Sequence, residues 1–574
     1  MYLAVVTMFI KLVKVPKQEE HLVYLVEGYR DRNGLVKHRT LHAYGRLSEL
    51  LAGDPDGVER LRSWARAETA KGEQGKHEMV FFHLGEEHDG TQQLVNIGYV
   101  FLAAIYQALK IPEFIAGYLS KTQIAYPLDD ILQLLVYSRC LNPGSKKRTY
   151  EGKGNYFFEL PDFTLDDVYH SLSHLAAMKE KLTLHLHRRI TEMRGRDCSL
   201  VFYDVTNYYF TTERGEGLRQ TGVSKENQET DIVQLGLFID NDGIPITYEL
   251  FRENTNDMAT MRPILQKSKK EYGLGKITIV ADKGNNTGEN LAYIDGEDDH
   301  YIISQKIRGA GKDLISVVLD EDGYVWNQDG TFKSKSIERE RVVKRSDLST
   351  RTITEHLLCF WSRNEQDYQR AKCGFLDEKI AEFIENPSLL NASNAFGIKK
   401  YFKKVLVDQE TGEILKAKEQ YVFNQAKYER DLALDGYYCI VTNDLTLAPL
   451  EIIQHYHQLS KIEESFKVTK SDLEGMPVYV WTRDRIEGHF LTCYLALVLY
   501  RLLQIKLDNR YPIHQLKEAL NSAEAVLLDR SIYLIPDPLL IVNELAEKHQ
   551  AKLNYKRMKL EYLRSQLNRI KRNS

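Results

Sequence analysis

Leu200-Val201-Phe202-Tyr203-Asp204 is an apolar run closed by a carboxylate, and its reading decides the fold. A short β-branched and aromatic run bounded by polar residues predicts a buried strand. The pattern recurs at Ile277-Thr278-Ile279-Val280-Ala281-Asp282. A third run, Tyr437-Tyr438-Cys439-Ile440-Val441, is followed by a helical pattern that carries Glu463. Two strand-end aspartates and one helix-borne glutamate can converge on a pair of divalent ions. Two ions roughly 3.5–4 Å apart supply the charge sink that phosphoryl transfer on nucleic acid needs. Hard ions take only one or two carboxylates each, with water and phosphate completing the shell, so three carboxylates suffice.

The segments between these runs extend the pattern. Ile232 to Ile239 and Ile244 to Phe251 flank Asp240-Asn241-Asp242-Gly243, a hairpin turn. Met258 to Tyr272 reads as a helix, and Tyr301 to Ile303 as a strand. The order β-β-β-α-β-α-β matches a ribonuclease H-like core, in which the first and fourth strands lie side by side. That places Asp204 and Asp282 on neighbouring strands. The predicted fold class is α/β with a ribonuclease H-like catalytic core.

This core occupies 196–304 and 436–510, and a strand-rich insertion at 305–435 interrupts it. The insertion is too long to be a loop. Its predicted strands are Ile315 to Leu319, Thr352 to Phe360, Lys400 to Val407 and Gln420 to Phe423. Upstream, 1–94 reads as an accessory region suited to DNA ends. There His21 to Glu27 and Val36 to Ala43 flank the turn Asp31-Arg32-Asn33-Gly34. Residues 95–195 read as a helical domain, broken at Asn142-Pro143-Gly144. Residues 511–574 read as helical and basic. From Lys552 to Arg572 eight Lys and Arg oppose Glu561 alone.

The 574-residue chain is 43% hydrophobic and 28% charged, which predicts a soluble multidomain protein. Its net charge of -4 means that DNA affinity must come from local basic surfaces. The six cysteines form no CxxC pair, which predicts reduced thiols in the cytoplasm. Lys11 and Lys14 interrupt the apolar start, which reads as a strand. Phe490 to Leu503 is too short to span a bilayer and predicts a buried helix, so no membrane partner is expected.

Tyr456, Glu463 and Lys470 are spaced seven apart, so they share one helix face, with Lys467 close to it. This segment resembles the Tyr-x2-Arg-x3-Glu-x6-Lys signature of bacterial insertion-sequence transposases of the DDE class. Leu459 stands at the Arg position, with Lys461 the cation to take over its phosphate contact. The signature spacing selects Glu463 over Glu464. Tyr203-Asp204-Val205-Thr206 and Ala281-Asp282-Lys283-Gly284 resemble the family's blocks around its first two carboxylates. Gly222-Val223-Ser224-Lys225, Asn254-Thr255 and Glu487-Gly488-His489-Phe490 resemble further blocks.

The resemblance implies a DNA transposase. Asp204, Asp282 and Glu463 would be catalytic and would hold two Mg2+ or Mn2+ ions. Tyr456, Lys467 and Lys470 would bind DNA. The enzyme would nick the ends of its element and join the 3′-OH to target DNA. Its partners would be double-stranded DNA, both terminal inverted repeats and target, and a second copy in a homodimer with paired ends. Trp326 and Trp361 are candidates to stack on a flipped base. Alternatives are a metal-dependent endonuclease without strand transfer, or a non-catalytic DNA-binding descendant of a transposase.

Overall fold

The structure, a computed structural model, describes residues 7–30, 36–70, 94–210, 220–223, 229–252, 257–385, 398–407, 418–529 and 531–573. It divides into two compact units, Met1–Gln92 and Gln93–Ser574. In the first, strands Thr7–Lys14, His21–Arg30 and Val36–Arg46 form an antiparallel sheet. Met8, Ile10, Val23 and Leu25 alternate onto one face and bury Ala65 of the helix Gly57–Ala70. The turn expected at Asp31 to Gly34 lies outside the described residues.

The second unit is built on a ten-stranded mixed sheet. We label its principal strands β1 (Leu200–Tyr209), β2 (Glu229–Ile239), β3 (Pro245–Arg252), β4 (Thr278–Ala281), β5 (His300–Ser304), β6 (Phe332–Lys344), β7 (Thr350–Ser362) and β8 (Tyr437–Thr442). Their spatial order is β3-β2-β1-β4-β5-β8-β7-β6, with Gln220–Val223 pairing beside β3 and Val325–Trp326 beyond β6. β1, β4 and β5 run parallel, and the other neighbours are antiparallel. Tyr203 pairs with Ala281, and Ala281 with Ile303. The next rung therefore aligns Asp204, Asp282 and Ser304 across three strands.

Side-chain alternation sends Phe202, Val280, Ile302 and Ile440 to one face of the sheet, and Tyr203, Ala281, Ile303 and Val441 to the other. The first face is covered by helices α1 (Leu165–Arg194), α2 (Pro449–His457), α3 (Ser460–Lys467) and α4 (Arg483–Lys506). α4 is long and apolar enough to cross a membrane, but 94% of its apolar window is buried inside the protein. At the far end α5 (Leu560–Arg572) packs on the helix Tyr99–Ala108.

Four expectations need amendment. Asp204 does not end its strand: Val205-Thr206-Asn207-Tyr208-Tyr209 carries β1 on, each residue paired to β2 up to Tyr209↔Ile232. β-branched and aromatic residues sustain the pairing past the carboxylate. Ile315 to Leu319 is helical, within Lys312–Leu319, because Ile315 and Val318 bury one helical face. The stretch 305–435, expected to be strand-rich, adds β6 and β7 to the main sheet and also contains a 23-residue helix, Arg363–Glu385. The C-terminal region is not only helical. Glu524–Asp529, Ile532–Leu534 and Arg557–Lys559 join Leu94–Asn96 in a four-stranded sheet.

Candidate active site

The parallel rung collects the polar side chains. Asp204 and Asp282 continue the alternation of Phe202 and Val280, so both carboxylates face the helix-covered side, about 4.8 Å apart at the backbone. Both are half-buried. Asp204 accepts the Val205 N–H at 2.8 Å through Oδ1. Ser304 donates its hydroxyl to Asp282 Oδ1 at 3.2 Å.

α2 crosses this end of the sheet and places Tyr456 over it. The Tyr456 and Tyr438 hydroxyls lie 2.9 Å apart. Ser304 is a further hydrogen-bonding neighbour of Tyr456, and Asp282 lies close enough to act on it electrostatically. Burial, with the Tyr438 phenol next to it, pushes the Tyr456 hydroxyl far above its ordinary pKa. It therefore remains a neutral donor and acceptor. Sequence reasoning placed Tyr456 at the DNA but did not single out Ser304 or Tyr438. The rung itself was the signal for Ser304, which ends a strand as Asp282 follows one.

The helix expected through Tyr456, Glu463 and Lys470 is interrupted twice. α2 ends at His457, α3 begins at Ser460, and a π-helical turn, Val468–Asp472, carries Lys470. α3 runs along β1: Lys461 lies over Phe202, and Thr469 hydrogen-bonds Tyr208 at 2.6 Å. Ile462, Ser465 and Phe466 form its buried face. Glu463 and Lys467 are exposed. Lys470 lies over the Tyr208 ring at 5.4 Å. Glu464 points elsewhere and meets Arg501 at 3.2 Å.

Leu459 is 7% exposed and packs in the core, where a charged Arg would be costly to bury. Lys461, the cation expected to stand in for that Arg, is held within the protein. Its ammonium donates to the Asn241 carbonyl at 2.6 Å, pinning α3 to the β2–β3 turn. Trp361 is buried, with its indole N–H on the Asp435 carbonyl, so it offers no face to a base. Trp326 is 49% exposed and sits edge-on to Trp361.

The block Glu487-Gly488-His489-Phe490 proves to be a packing device. Lys179 of α1 reaches Glu249 at 3.1 Å and Glu487 at 3.2 Å. His489 is buried, bonding the Gly475 carbonyl at 3.0 Å and the Lys146 ammonium at 3.3 Å. Phe490 meets Tyr208 edge-on. Arg139 adds donors to the Leu473 and Glu474 carbonyls, so buried cations fix the chain that follows Lys470.

Among the described residues, no three His, Cys, Asp or Glu side chains are gathered closely enough to hold a metal ion. The structure thus aligns Asp204 with Asp282 and leaves Glu463 on the open flank of α3. The donor set itself is carboxylate oxygen, which suits Mg2+ or Mn2+ better than softer ions. Beyond Asp282 and Ser304 a groove of about 230 Å³ opens, lined by Lys283, Lys306 and Arg308.

Residues 200–499 match the family described as transposase DDE domain. Residues 12–78 match the IS1634 family transposase N-terminal domain. No curated protein matches the chain. Among solved structures, a piggyBac transposase synaptic complex with hairpin DNA aligns over 88% of this chain and 81% of that one, at 8% identity and a TM-score of 0.31.

Proposed function

Because the chain belongs to the insertion-sequence transposases that carry a DDE domain, we propose that it cuts DNA at the ends of its element and joins the freed 3′-hydroxyl to target DNA. The observation that carries this reading is that Asp204 and Asp282 each follow the last paired rung, Tyr203↔Ala281, of two adjacent parallel strands. The strand order β3-β2-β1-β4-β5 supports a ribonuclease H-like core in the same region.

Asp204, Asp282 and Glu463 would hold two Mg2+ or Mn2+ ions, which when bound supply a charge sink for the attacking and leaving oxygens. The chain does the positioning. β1 and β4 hold two carboxylates rigidly, Ser304 orients one of them, and Glu463 swings in from α3. Tyr456 braces Asp282 from above. Lys467 and Lys470 hold DNA phosphates as point charges. The strand-rich stretch 305–435 is an insertion in this core. The DNA partners are the terminal inverted repeats and the target duplex, and two copies pair the ends.

The test uses full-length protein and a duplex bearing the element's terminal repeat. Asp204→Asn, Asp282→Asn and Glu463→Gln are expected to bind this DNA as the parent does and to leave it uncut. Undiminished cleavage in any of them removes that residue from the site. Cleavage by the parent without joined product would make it a nuclease.

A further inference from the structure

We propose that the C-terminal segment from Lys552 to Arg572 is a second DNA-docking surface, which grips the backbone of double-stranded DNA without reading its sequence. The inference rests on the assignment of the chain as a DNA transposase, but on none of the catalytic residues.

The charge is concentrated and outward. Lys552, Lys556, Arg557, Lys559, Arg564, Arg569 and Arg572 are all exposed, whereas the chain as a whole carries -4. Glu561 is the one acidic residue in the segment. Glu159, in the loop that precedes α1, pairs with Arg564. Lys571 is different: it lies over the Tyr99 ring at 5.5 Å and belongs to the packing. Phosphate contacts made by such clusters supply most sequence-independent DNA affinity.

The surface is also stiff. Leu563, Gln566, Leu567 and Ile570 bury the inner face of α5, so its outer face cannot rotate away. Arg557 and Lys559 flank buried Met558 on a strand of the four-stranded sheet, so both cations project outward. Arg569 is fixed by the Gln550 carbonyl at 3.1 Å. Arg564 and Arg572 stand eight residues apart, about 12 Å along the helix. That matches the roughly 12 Å width of a duplex major groove, so the two can meet phosphates on opposite walls.

Two exposed rings sharpen the choice of partner. Tyr555 and Tyr562 pack on each other at 6.0 Å, tilted by 58°. The pair presents edges rather than an open platform, which suits sugar and phosphate contact more than base stacking. A rigid, aligned set of cations fits a duplex rather than a flexible single strand.

The experiment compares full-length parent with the variant Lys556→Gln, Arg557→Gln, Arg564→Gln, Arg572→Gln. All four positions are exposed, so folding is preserved. Binding to a random-sequence 30-base-pair duplex is followed against salt concentration. Each lost phosphate contact lowers the slope of log K against log salt by about 0.9, so a fall of roughly 3 to 4 is expected. Cleavage of a terminal-repeat duplex at saturating protein and low salt should stay at the parental rate. An unchanged slope overturns the proposal. So does an equal loss in a control with Lys121, Lys147, Lys153 and Lys312 changed to Gln, which makes the effect one of bulk charge. A loss confined to single-stranded DNA, or an altered oligomeric state with an unchanged slope, also overturns it. Asp282→Asn separates the two readings: it should lose cleavage and keep the parental slope.

Discussion

The hydroxyls of Tyr438 on β8 and Tyr456 on α2 meet at 2.9 Å, directly above the strand that ends in Ser304. Removing the Tyr438 hydroxyl leaves Tyr456 without that bond. Tyr438→Phe is therefore expected to slow cleavage about fivefold, the equivalent of one hydrogen bond near 1 kcal/mol. DNA affinity should not change. Single-turnover cleavage at saturating protein, beside a binding isotherm, checks this. A matching fall in affinity would show that Tyr438 touches DNA itself.

Glu463 and Glu464 are neighbours on α3, and Glu464 is the one that meets Arg501. Glu463→Gln should abolish cleavage and leave the melting temperature unchanged, because that side chain is exposed. Glu464→Gln should keep cleavage and cost about 1 kcal/mol, because Arg501, 8% exposed in its side chain, loses its carboxylate. Thermal melts and cleavage assays on both variants check the pair.

Burial, with Arg139 next in effect, pushes the Lys146 ammonium down from 10.5 to about 7. The folded pKa is the lower one. From about pH 7 to 10.5 the unfolded chain therefore holds a proton that the folded chain lacks, and this residue's contribution to stability rises with pH. Below pH 7 the whole cost of burying the charge is present. Lys146→Met should thus gain most, relative to the parent, at pH 6.5, and that gain should shrink by on the order of 4 kcal/mol by pH 10. Denaturant unfolding at the two pH values measures the difference. A gain independent of pH would show that Lys146 keeps its proton in the folded chain up to pH 10, and so that burial does not lower its pKa.

A Cβ on Gly488 would stand 2.3 Å from the Leu172 carbonyl oxygen of α1. Backbone, not a flexible side chain, is what it would strike. Gly488→Ala is expected to force α1 and α4 apart and cost about 1–3 kcal/mol. The loss should appear in chemical denaturation. Cleavage per folded molecule should fall less than it does for Glu463→Gln.

The sequence made the rung legible because these short apolar runs carry their own register; Asp240, Asp320 and Asp529 close similar runs, so the residues around Asp204 and Asp282 had to single them out. Leu200 to Tyr203 and Ile277 to Ala281 announced two strands, and the hairpin between them fixed their neighbours. Past Asp204 the signal failed. Asp204 and Asn207 break the apolar run, and only pairing with β2 reveals that the strand continues. Ile315 to Leu319 misled for the opposite reason, since the β-branched Ile315, Val317 and Val318 in a short apolar run are locally indistinguishable from a strand. Packing of Ile315 and Val318 on one side made the segment a helix. Ser304 and Tyr438 escaped notice because a lone hydroxyl in a strand has no pattern. Their role arises only when β5, β8 and α2 meet.

β8 has two neighbours: β5, whose end holds Ser304, and β7, which lies about 50 residues further along the chain in the stretch 305–435. In mechanical terms β6 and β7 and the rung of Asp204, Asp282 and Ser304 are parts of one plate, not two bodies on a hinge. A load taken up on β6 and β7 reaches Ser304 as shear across β8. The segment is therefore an outrigger bolted to that rung, and it cannot pivot without breaking a ladder that runs from His356↔Thr442 to Trp361↔Tyr437.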